Sequence, residues 1–288
     1  MTFSIAAWDP EVESGPEWGV AVASKFLAVG SVVPFAEVGA GAGATQALAN
    51  LAYAPDSLAR LHQGDDAATV VRALTKADPD ADQRQLGLVD AQGRAAGFTG
   101  NECFEWAGDV QGDGFTCQGN ILTGPDVVHA MKEAFSSSTG DLAARLLAAL
   151  SAGDAAGGDR RGRQSAALFV VRRGAGYGGA SDVAVDLRVD DHPAPVDELA
   201  RLLELHRLLY PRPEELEFLP IDEELGAELR TLLAACGHPT SGSGGYDSEL
   251  RDALFAFSGT ENLEERWTEG PKIEVKVLEY LRASGRSS

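Results

Sequence analysis

The second residue of the chain has the chemistry of a nucleophile that carries its own base. Residues 2–9 alternate with the period of two that sends successive side chains of a strand to opposite faces. Removal of Met1 would free the amine of Thr2, and an α-amino group with a pKa of about 7.7 to 8 is partly unprotonated at neutral pH. That amine can take the proton of the Thr2 hydroxyl. The alternative, which these first residues alone favour, is that Thr2 simply begins an edge strand.

A tract of small residues at 39–46 is a second candidate site. Its glycines, among them Gly41 and Gly43, let the backbone approach a ligand closely and leave N–H groups free. Residues 47–51 have a helical composition, so these N–H groups would gather at a helix N-terminus and stabilise negative charge. A tightly packed corner between a strand and a helix is the open alternative. No Gly-Lys-Ser or Gly-Lys-Thr follows, so the tract is not a phosphate-binding loop.

The charge of the chain excludes some partners and points to another. A net charge of −20 repels nucleic acid and anionic membrane surfaces, so we expect neither as a partner. Against this background Arg160, Arg161 and Arg163 form the one dense basic cluster, in a Gly-rich loop suited to an anionic substrate group. Three arginines in four residues cannot all point one way. We therefore expect one or two to bind substrate and another to pair with Asp159.

The remaining composition argues against metal, cofactor and membrane functions. The three cysteines are far apart without Cys-x-x-Cys spacing, and the five histidines are scattered, so we expect no metal and no cofactor. No apolar run is long enough to span a bilayer, and the apolar start ends at Asp9, too early for a secretory signal. The sequence therefore predicts a cytoplasmic protein.

The order of predicted elements is strands, helices, strands, helices, strands and a helix, without strict strand-helix alternation. Two antiparallel sheets between helix layers, an α+β fold, satisfy this order. The segment Pro211-Arg212-Pro213 predicts a linker, so we divide the chain into domains 1–212 and 213–288. The second is a helical module of about seventy residues, small enough to lean on the main domain or on a partner subunit.

Several stretches resemble a bacterial family catalogued as domain of unknown function ten-twenty-eight, which is grouped with the N-terminal nucleophile (Ntn) hydrolases. The resemblance covers roughly residues 1–210. The tail resembles a peptidoglycan-binding helical module that often accompanies this family. The matching stretches are residues 1–5, 19–26, 43–46, 118–120 and 157–165, with Gly-Asp-Arg-Arg-Gly-Arg-Gln-Ser and the Asp-Asp-His-Pro of 190–193 the most distinctive.

The resemblance implies an αββα sandwich with the nucleophile at the tip of the first strand and amide bonds as targets. By comparison with proteasome-type relatives, Lys25 is assigned as a cation that lowers the pKa of the Thr2 hydroxyl. Gly41 or Gly43 would supply oxyanion-hole N–H groups. Those relatives carry an Asp where this chain reads Ala-Ser-Lys, so Asp9 is the alternative orienting residue.

The polar residues in the matching stretches complete the predicted site. Asn120 and Gln118 are expected near the acyl oxygen, and Asp159 and Ser165 near the free amine. Thr45 and Gln46 join them as substrate-binding residues of the small-residue tract. The structural alternatives are that Gln118 and Asn120 satisfy turn backbone and that Asp159 pairs with Arg161 or Arg163.

The sequence thus predicts an amidohydrolase in which Thr2 attacks the amide of a small, anionic substrate and is freed by water. A catalytically silent binding protein, which uses the arginine cluster to hold a ligand, is the alternative. We expect a homo-oligomer. A cytoplasmic chain rarely meets mature cell wall, so we favour an assembly or lid role for the tail over contact with peptidoglycan.

Overall fold

A computed structural model describes residues 2–10, 15–212 and 215–284. Backbone contacts divide the chain into two compact units, Met1–Leu202 and Leu203–Ser288. This division falls within a helix that we label α5, Pro195–Leu209, whereas the sequence placed the boundary just after it. The exact domain limits therefore stay a prediction.

Two antiparallel sheets form the centre of the first unit. The larger sheet has six strands in the order β10-β9-β2-β1-β8-β7, and the smaller has four in the order β3-β4-β5-β6. The strands of the larger sheet are β1 (Thr2–Asp9), β2 (Glu17–Ser24), β7 (Gly108–Gly112), β8 (Phe115–Asn120), β9 (Ser165–Val171) and β10 (Val183–Val189). Those of the smaller sheet are β3 (Pro34–Glu37), β4 (Gly41–Ala47), β5 (Arg84–Asp90) and β6 (Ala95–Thr99).

Helices cover the outer face of each sheet. The helices α1 (Tyr53–His62) and α2 (Ala67–Ala77) pack on the smaller sheet, and α3 (Asp126–Ser137) and α4 (Leu142–Ala155) pack on the larger one. The inner faces of the sheets pack on each other through β1, β2 and β8 on one side and β4 and β5 on the other. The predicted α+β class and αββα layering are confirmed.

The first strand owes its central place to its composition. Residues of β1 are buried on both faces, because helix α4 covers one face and the second sheet covers the other. Small side chains such as Ala6 and Ala7, both fully buried, allow this close packing. Antiparallel pairing with β8 places Thr2 opposite Asn120, at the tip of the strand. The sandwich therefore presents Thr2 where two sheets and several loops meet.

The second unit is a helical module with a short two-stranded sheet. Its helices are α6 (Glu223–Ala235), α7 (Ser248–Thr260) and α8 (Val275–Ser284), and its strands are β11 (Phe218–Pro220) and β12 (Lys272–Glu274). The predicted helical character of the tail is confirmed, and the two strands are an addition. A buried ion pair of 2.9 Å joins Arg266 to Glu274, whose carboxylate also accepts from the N–H of Val277 at the start of α8. Within the described ranges no helix combines the length and apolarity that crossing a bilayer needs.

The small-residue tract does not lead into a helix N-terminus at residues 47–51, so that prediction is wrong. Residues 41–47 form β4, which pairs with β3 on one side and β5 on the other, and the next helix begins only at Tyr53. Position 43 has room only for glycine, since a Cβ there would clash with Leu88 Cδ2 and lie 2.5 Å from Phe35 Cζ. The close-packing alternative describes this tract.

We predict that Gly43→Ala lowers the free energy of unfolding by about 1 to 3 kcal/mol, because Leu88 and Phe35 must move to admit the methyl group. Gly124→Ala is the matched control, since a Cβ there meets nothing within 4 Å. Urea denaturation followed by circular dichroism measures both. Equal stability of the two variants would contradict the packing role of Gly43.

Candidate functional site

The strand pairings gather most of the predicted site residues at one end of the sandwich. In the larger sheet Thr2 lies opposite Asn120 of β8. On its other side β1 pairs with β2, which ends at Ser24, and Ser24 lies opposite Ser165 of β9. In the smaller sheet the end of β4 and the start of β5, with Gln46 and Gln85, face the same end. The link is direct, because Gln46 Nε2 donates to the Thr2 carbonyl at 3.4 Å.

The hydroxyl of Thr2 has a hydroxyl partner that the sequence analysis did not identify. Thr2 Oγ1 donates to Ser24 Oγ at 3.2 Å, and Thr2 is only 3% exposed. Ser24 was missed because its role depends on the register between β1 and β2. Pairing Phe3 with Ala23 sets residue 24 across from residue 2, which no single-strand pattern reveals.

The Lys25 side chain is directed to the neighbouring loop. Its ammonium donates to the Arg163 carbonyl at 3.3 Å, and its backbone N–H donates to Asp159 Oδ2 at 2.9 Å. The residue is exposed. The hydrogen bond of the Thr2 hydroxyl goes to Ser24, so a role for Lys25 at Thr2 stays a prediction.

Asp9 does not fit the predicted orienting role. It lies at the opposite end of β1 from Thr2, and an extended strand rises about 3.3 Å per residue, so about 23 Å separate the two residues. Its carboxylate forms an ion pair of 3.1 Å with Arg145. Strand length alone therefore excludes direct contact with Thr2.

Gly41 and Gly43 also do not fit their predicted role as oxyanion-hole donors. Gly41 pairs with Asp90 at the end of β4 remote from Gln46, and Gly43 lies inside the ladder between β3 and β5. An interior strand uses its N–H groups for its two neighbours. Thr45, on the same strand, is fully buried and donates its hydroxyl to the Asn50 carbonyl at 3.2 Å, which fixes the following turn.

Ser165 supports the loop after β2 rather than a free amine. Its hydroxyl donates to the Phe26 carbonyl at 2.5 Å and accepts from the Val29 N–H at 3.1 Å. The side chain is completely buried. Because Ser165 stands across from Ser24 in the β2 and β9 pairing, it holds the loop that follows Ser24 in place.

The three arginines of the cluster differ in their partners. Arg161 donates to both carboxylate oxygens of Asp159, at 3.1 Å and 2.7 Å, which confirms that one arginine pairs with this aspartate. Arg163 Nε is 2.8 Å from Asp154 Oδ1, and this bond raises the pKa of the guanidinium. Arg160 is exposed and forms no ion pair with any residue in the described ranges.

Arg160 lines an open pocket of about 340 Å³. Its lining includes Asp154 and Asp159, each of which is paired with an arginine, and Arg160, which has no carboxylate partner among the described residues. The pocket therefore carries one unpaired positive charge. Asp159, which the sequence placed near a free amine, has both oxygens occupied by Arg161 and the Lys25 N–H. The residues around the pocket are Thr123, Asp154, Gly157, Asp159, Arg160, Gly162, Arg163 and Pro193.

Gln85, which the sequence analysis did not single out, is the centre of a buried polar network between the sheets. Its Nε2 donates to the carbonyls of Gly119 and Gly108, at 2.8 Å and 3.2 Å. Carbonyls only accept, so the amide orientation of Gln85 is fixed. Its Oε1 must then accept, and it does so from Gln46 Nε2 at 2.7 Å and from Asn120 Nδ2 at 2.9 Å.

The fixed orientation of Gln85 spreads through the network. With its Nε2 committed, Gln46 offers Oε1 to the Ser4 hydroxyl at 2.8 Å. Ser4 Oγ therefore accepts from Gln118 Nε2 at 2.7 Å, which leaves Gln118 Oε1 for the Thr116 hydroxyl at 3.0 Å. All of these side chains are at most 1% exposed. Gln46, Gln118 and Asn120 thus belong to one network, in which Gln46 reaches the Thr2 carbonyl and Asn120 lies beside Thr2.

The cysteines offer no competing nucleophile. Burial is the largest cause of a raised pKa at each of the three thiols, and it is most pronounced for the fully buried Cys117. A thiol with a raised pKa supplies little thiolate at neutral pH. Thr2 is therefore the stronger candidate.

Family and structure comparisons agree with the resemblance stated from the sequence. A family model described as "Family of unknown function (DUF1028)" matches residues 2–199, and one described as "Putative peptidoglycan binding domain" matches residues 208–281. The crystal structure of protein SPO2555 from Silicibacter pomeroyi, assigned to the DUF1028 model, is 34% identical with a TM-score of 0.65. That alignment covers 72% of this chain and 89% of the other.

Two structures of Anbu from Hyphomicrobium sp. strain MC1, one of them a mutant, align over 75% of this chain and 100% of theirs. Their identity is 14% and their TM-scores are 0.30 and 0.29, too low to support an argument. None of the curated proteins matches the chain.

We predict that Gln85→Leu lowers the free energy of unfolding by about 2 to 4 kcal/mol, because it leaves buried carbonyl and amide groups without partners. Gln63→Leu makes the same chemical change at an exposed position and is the control. Thermal and urea unfolding of both variants give the comparison. If Gln85→Leu unfolds like its control, the network does not hold the sheets together.

Proposed function

This chain belongs to the DUF1028 family, a family of unknown function. From the geometry of its own site we propose that it is an Ntn-type amidohydrolase. Thr2, freed by removal of Met1, is the nucleophile. The substrate is a small amide that carries an anionic group. The observation that carries the proposal is the place of Thr2 at the tip of β1 in an αββα sandwich, with its hydroxyl 3.2 Å from Ser24 Oγ.

In the resting structure the Thr2 hydroxyl donates to Ser24 Oγ at 3.2 Å; in the first half of the reaction it turns its proton to the Thr2 amine, which takes it. The oxygen attacks the amide carbon and forms a C–O bond. The C–N bond then breaks, and the departing amine leaves with the proton from the Thr2 ammonium. An ester on Thr2 remains. Water, deprotonated by the same amine, hydrolyses this ester and releases the acid.

The developing oxyanion needs a donor, and Asn120 is the best placed. Its Nδ2 has two N–H groups, of which Gln85 Oε1 takes one. The residue lies directly across from Thr2 in the β1 and β8 pairing. We assign the second N–H of Asn120 to the acyl oxygen, because a donor that is fixed before the reaction stabilises charge at little reorganisation cost.

Arg160 is the anion-binding residue of the proposal. In a chain of net charge −20, an anionic substrate needs local positive charge to approach. Arg161 and Arg163 are committed to Asp159 and Asp154, which leaves the guanidinium of Arg160 for a carboxylate. Paired N–H donors match the geometry of that group.

A catalytically silent binding protein is the second candidate function. The observation in its favour is that Thr2 is only 3% exposed. In this alternative the pocket at Arg160 binds an anion, and Thr2 is only the first residue of strand β1. Intact mass separates the readings at the first step, because a retained Met1 blocks the amine that the hydrolase requires.

We predict that Thr2→Ala abolishes amide hydrolysis while the fold stays intact, and that Thr2→Ser keeps a measurable part, since both residues permit Met1 removal but only serine retains a hydroxyl. Chromogenic anilides of small dicarboxylic acids are the substrates, and circular dichroism checks folding. Wild-type rates for the Ala variant would exclude Thr2 as the nucleophile.

We predict that Arg160→Ala weakens the binding of an anionic substrate by about 1.5 to 3 kcal/mol, the range for a hydrogen bond to a charged group. The measurement is kcat/KM for a carboxylate substrate and for its methyl ester, and the ester should lose much less. Arg163→Ala is the matched control, because it removes the same charge from the same loop. The guanidinium that it removes, unlike that of Arg160, is already paired with Asp154. Equal losses on acid and ester would assign Arg160 to structure.

A further inference from the structure

Large apolar side chains are exposed mainly at the Thr2 end of the sandwich. Within the described part of residues 2–202, five of the seven large exposed apolar side chains lie on loops at that end, and the other two, Tyr177 and Val183, lie elsewhere. The five form what we call the apolar rim. They are Phe26 (52% exposed), Leu27 (59%), Leu48 (58%), Leu51 (61%) and Phe104 (69%).

The strand register explains why these residues surround Thr2. Phe26 and Leu27 follow Ser24, the hydroxyl partner of Thr2. Leu48 and Leu51 follow Gln46, which donates to the Thr2 carbonyl. The carbonyl of Phe104 accepts from the N–H of Ile121, one residue beyond Asn120. All five residues therefore lie on loops that leave the strands at the Thr2 end of the sandwich.

The rim is a built surface. The carbonyl of Phe26 accepts from the Ser165 hydroxyl, and that of Phe104 accepts from Ile121 N–H at 2.9 Å. Leu48 accepts at its carbonyl from Arg84 at 2.6 Å and donates its N–H to Gln83 at 3.1 Å. These hydrogen bonds fix the loops that carry the exposed side chains, and a group of exposed apolar side chains on fixed loops is a candidate contact surface.

The pocket at Arg160 indicates what the rim contacts. Arg160 supplies one unmatched positive charge at the same end, since Asp159 beside it is bound to the Lys25 N–H in the loop after Ser24. We propose that the substrate of the Thr2 site is an amphiphilic amide, whose carboxylate binds Arg160 and whose apolar chain lies on the apolar rim. The inference rests on the proposed function and names its substrate class.

Charge and position favour a substrate over other occupants of the rim. An anionic membrane is repelled by the net charge of −20. A membrane or a second copy of the chain seated on the rim would also close the approach to Thr2. A chain of methylene groups covers the rim and leaves the amide at Thr2.

Two substrate series test the proposal. N-acylglycines with acyl chains of two, four, six and eight carbons place the carboxylate on the amine side, and N-alkylsuccinamates with the same alkyl lengths place it on the acyl side. We expect kcat/KM to rise roughly tenfold or more across at least one series, since each buried methylene favours binding. Turnover that is independent of chain length in both series overturns the amphiphilic substrate and leaves the hydrolase standing.

Binding keeps the proposal testable if no amide is cleaved. Calorimetry of both series with the Thr2→Ala variant measures affinity without turnover, and the dissociation constant should fall with chain length. An unchanged affinity overturns the inference, whereas chain-dependent binding without wild-type turnover supports it and counts against the hydrolase instead.

Substitutions in the rim provide the matched comparison. The double variant Leu48→Ser with Leu51→Ser changes two exposed side chains of the rim and should flatten the chain-length dependence of kcat/KM. Tyr177→Ser, which is 76% exposed at the other end of the sandwich, should keep the wild-type dependence. Wild-type chain-length dependence in the double variant overturns the proposal. A changed particle mass in sedimentation also overturns it, since it assigns the rim to contact between copies.

Discussion

The amide of Gln85 is the interaction on which the site depends. Its two bonds to the carbonyls of Gly108 and Gly119 tie β5 of one sheet to β7 and β8 of the other. Because buried polar groups must find partners, these carbonyls dictate the orientation of every amide up to Gln46 and the Thr2 carbonyl. The tip of β1 is thus held from the opposite sheet.

The sequence predicted the parts of this structure that follow from local pattern. The alternation of residues 2–9 predicted β1, the order of the elements predicted two sheets between helix layers, and the nearness of Asp159 to the arginines predicted its ion pair. The glycine tract was misassigned because a strand without side chains lacks the apolar alternation that identifies strands. Gly43 must be small because Phe35 and Leu88 pack against it, and only folding brings these two residues to it.

The site residues that were missed or misplaced share one cause, which is that their roles are long-range. Ser24 is set by the register of β1 with β2, and Gln85 by the packing of two sheets. Asp9 was considered as a substitute for the Asp that the proteasome-type relatives carry in the second strand, yet the extended strand β1 places it far from Thr2. The sequence does not distinguish Arg160 from Arg161 and Arg163. Only the ion pairs of Arg161 and Arg163 with aspartates in the folded chain separate them from Arg160.

The side chains that connect Thr2 to the second sheet are amides and a hydroxyl, namely Gln46, Gln85, Asn120, Gln118 and Ser4. None of these groups gains or loses a proton between pH 4 and pH 10. The scaffold around the Thr2 hydroxyl is therefore electrically constant across that range. If Thr2 is the nucleophile as proposed, a titration of the site then reports its amine, with little contribution from the frame that holds it.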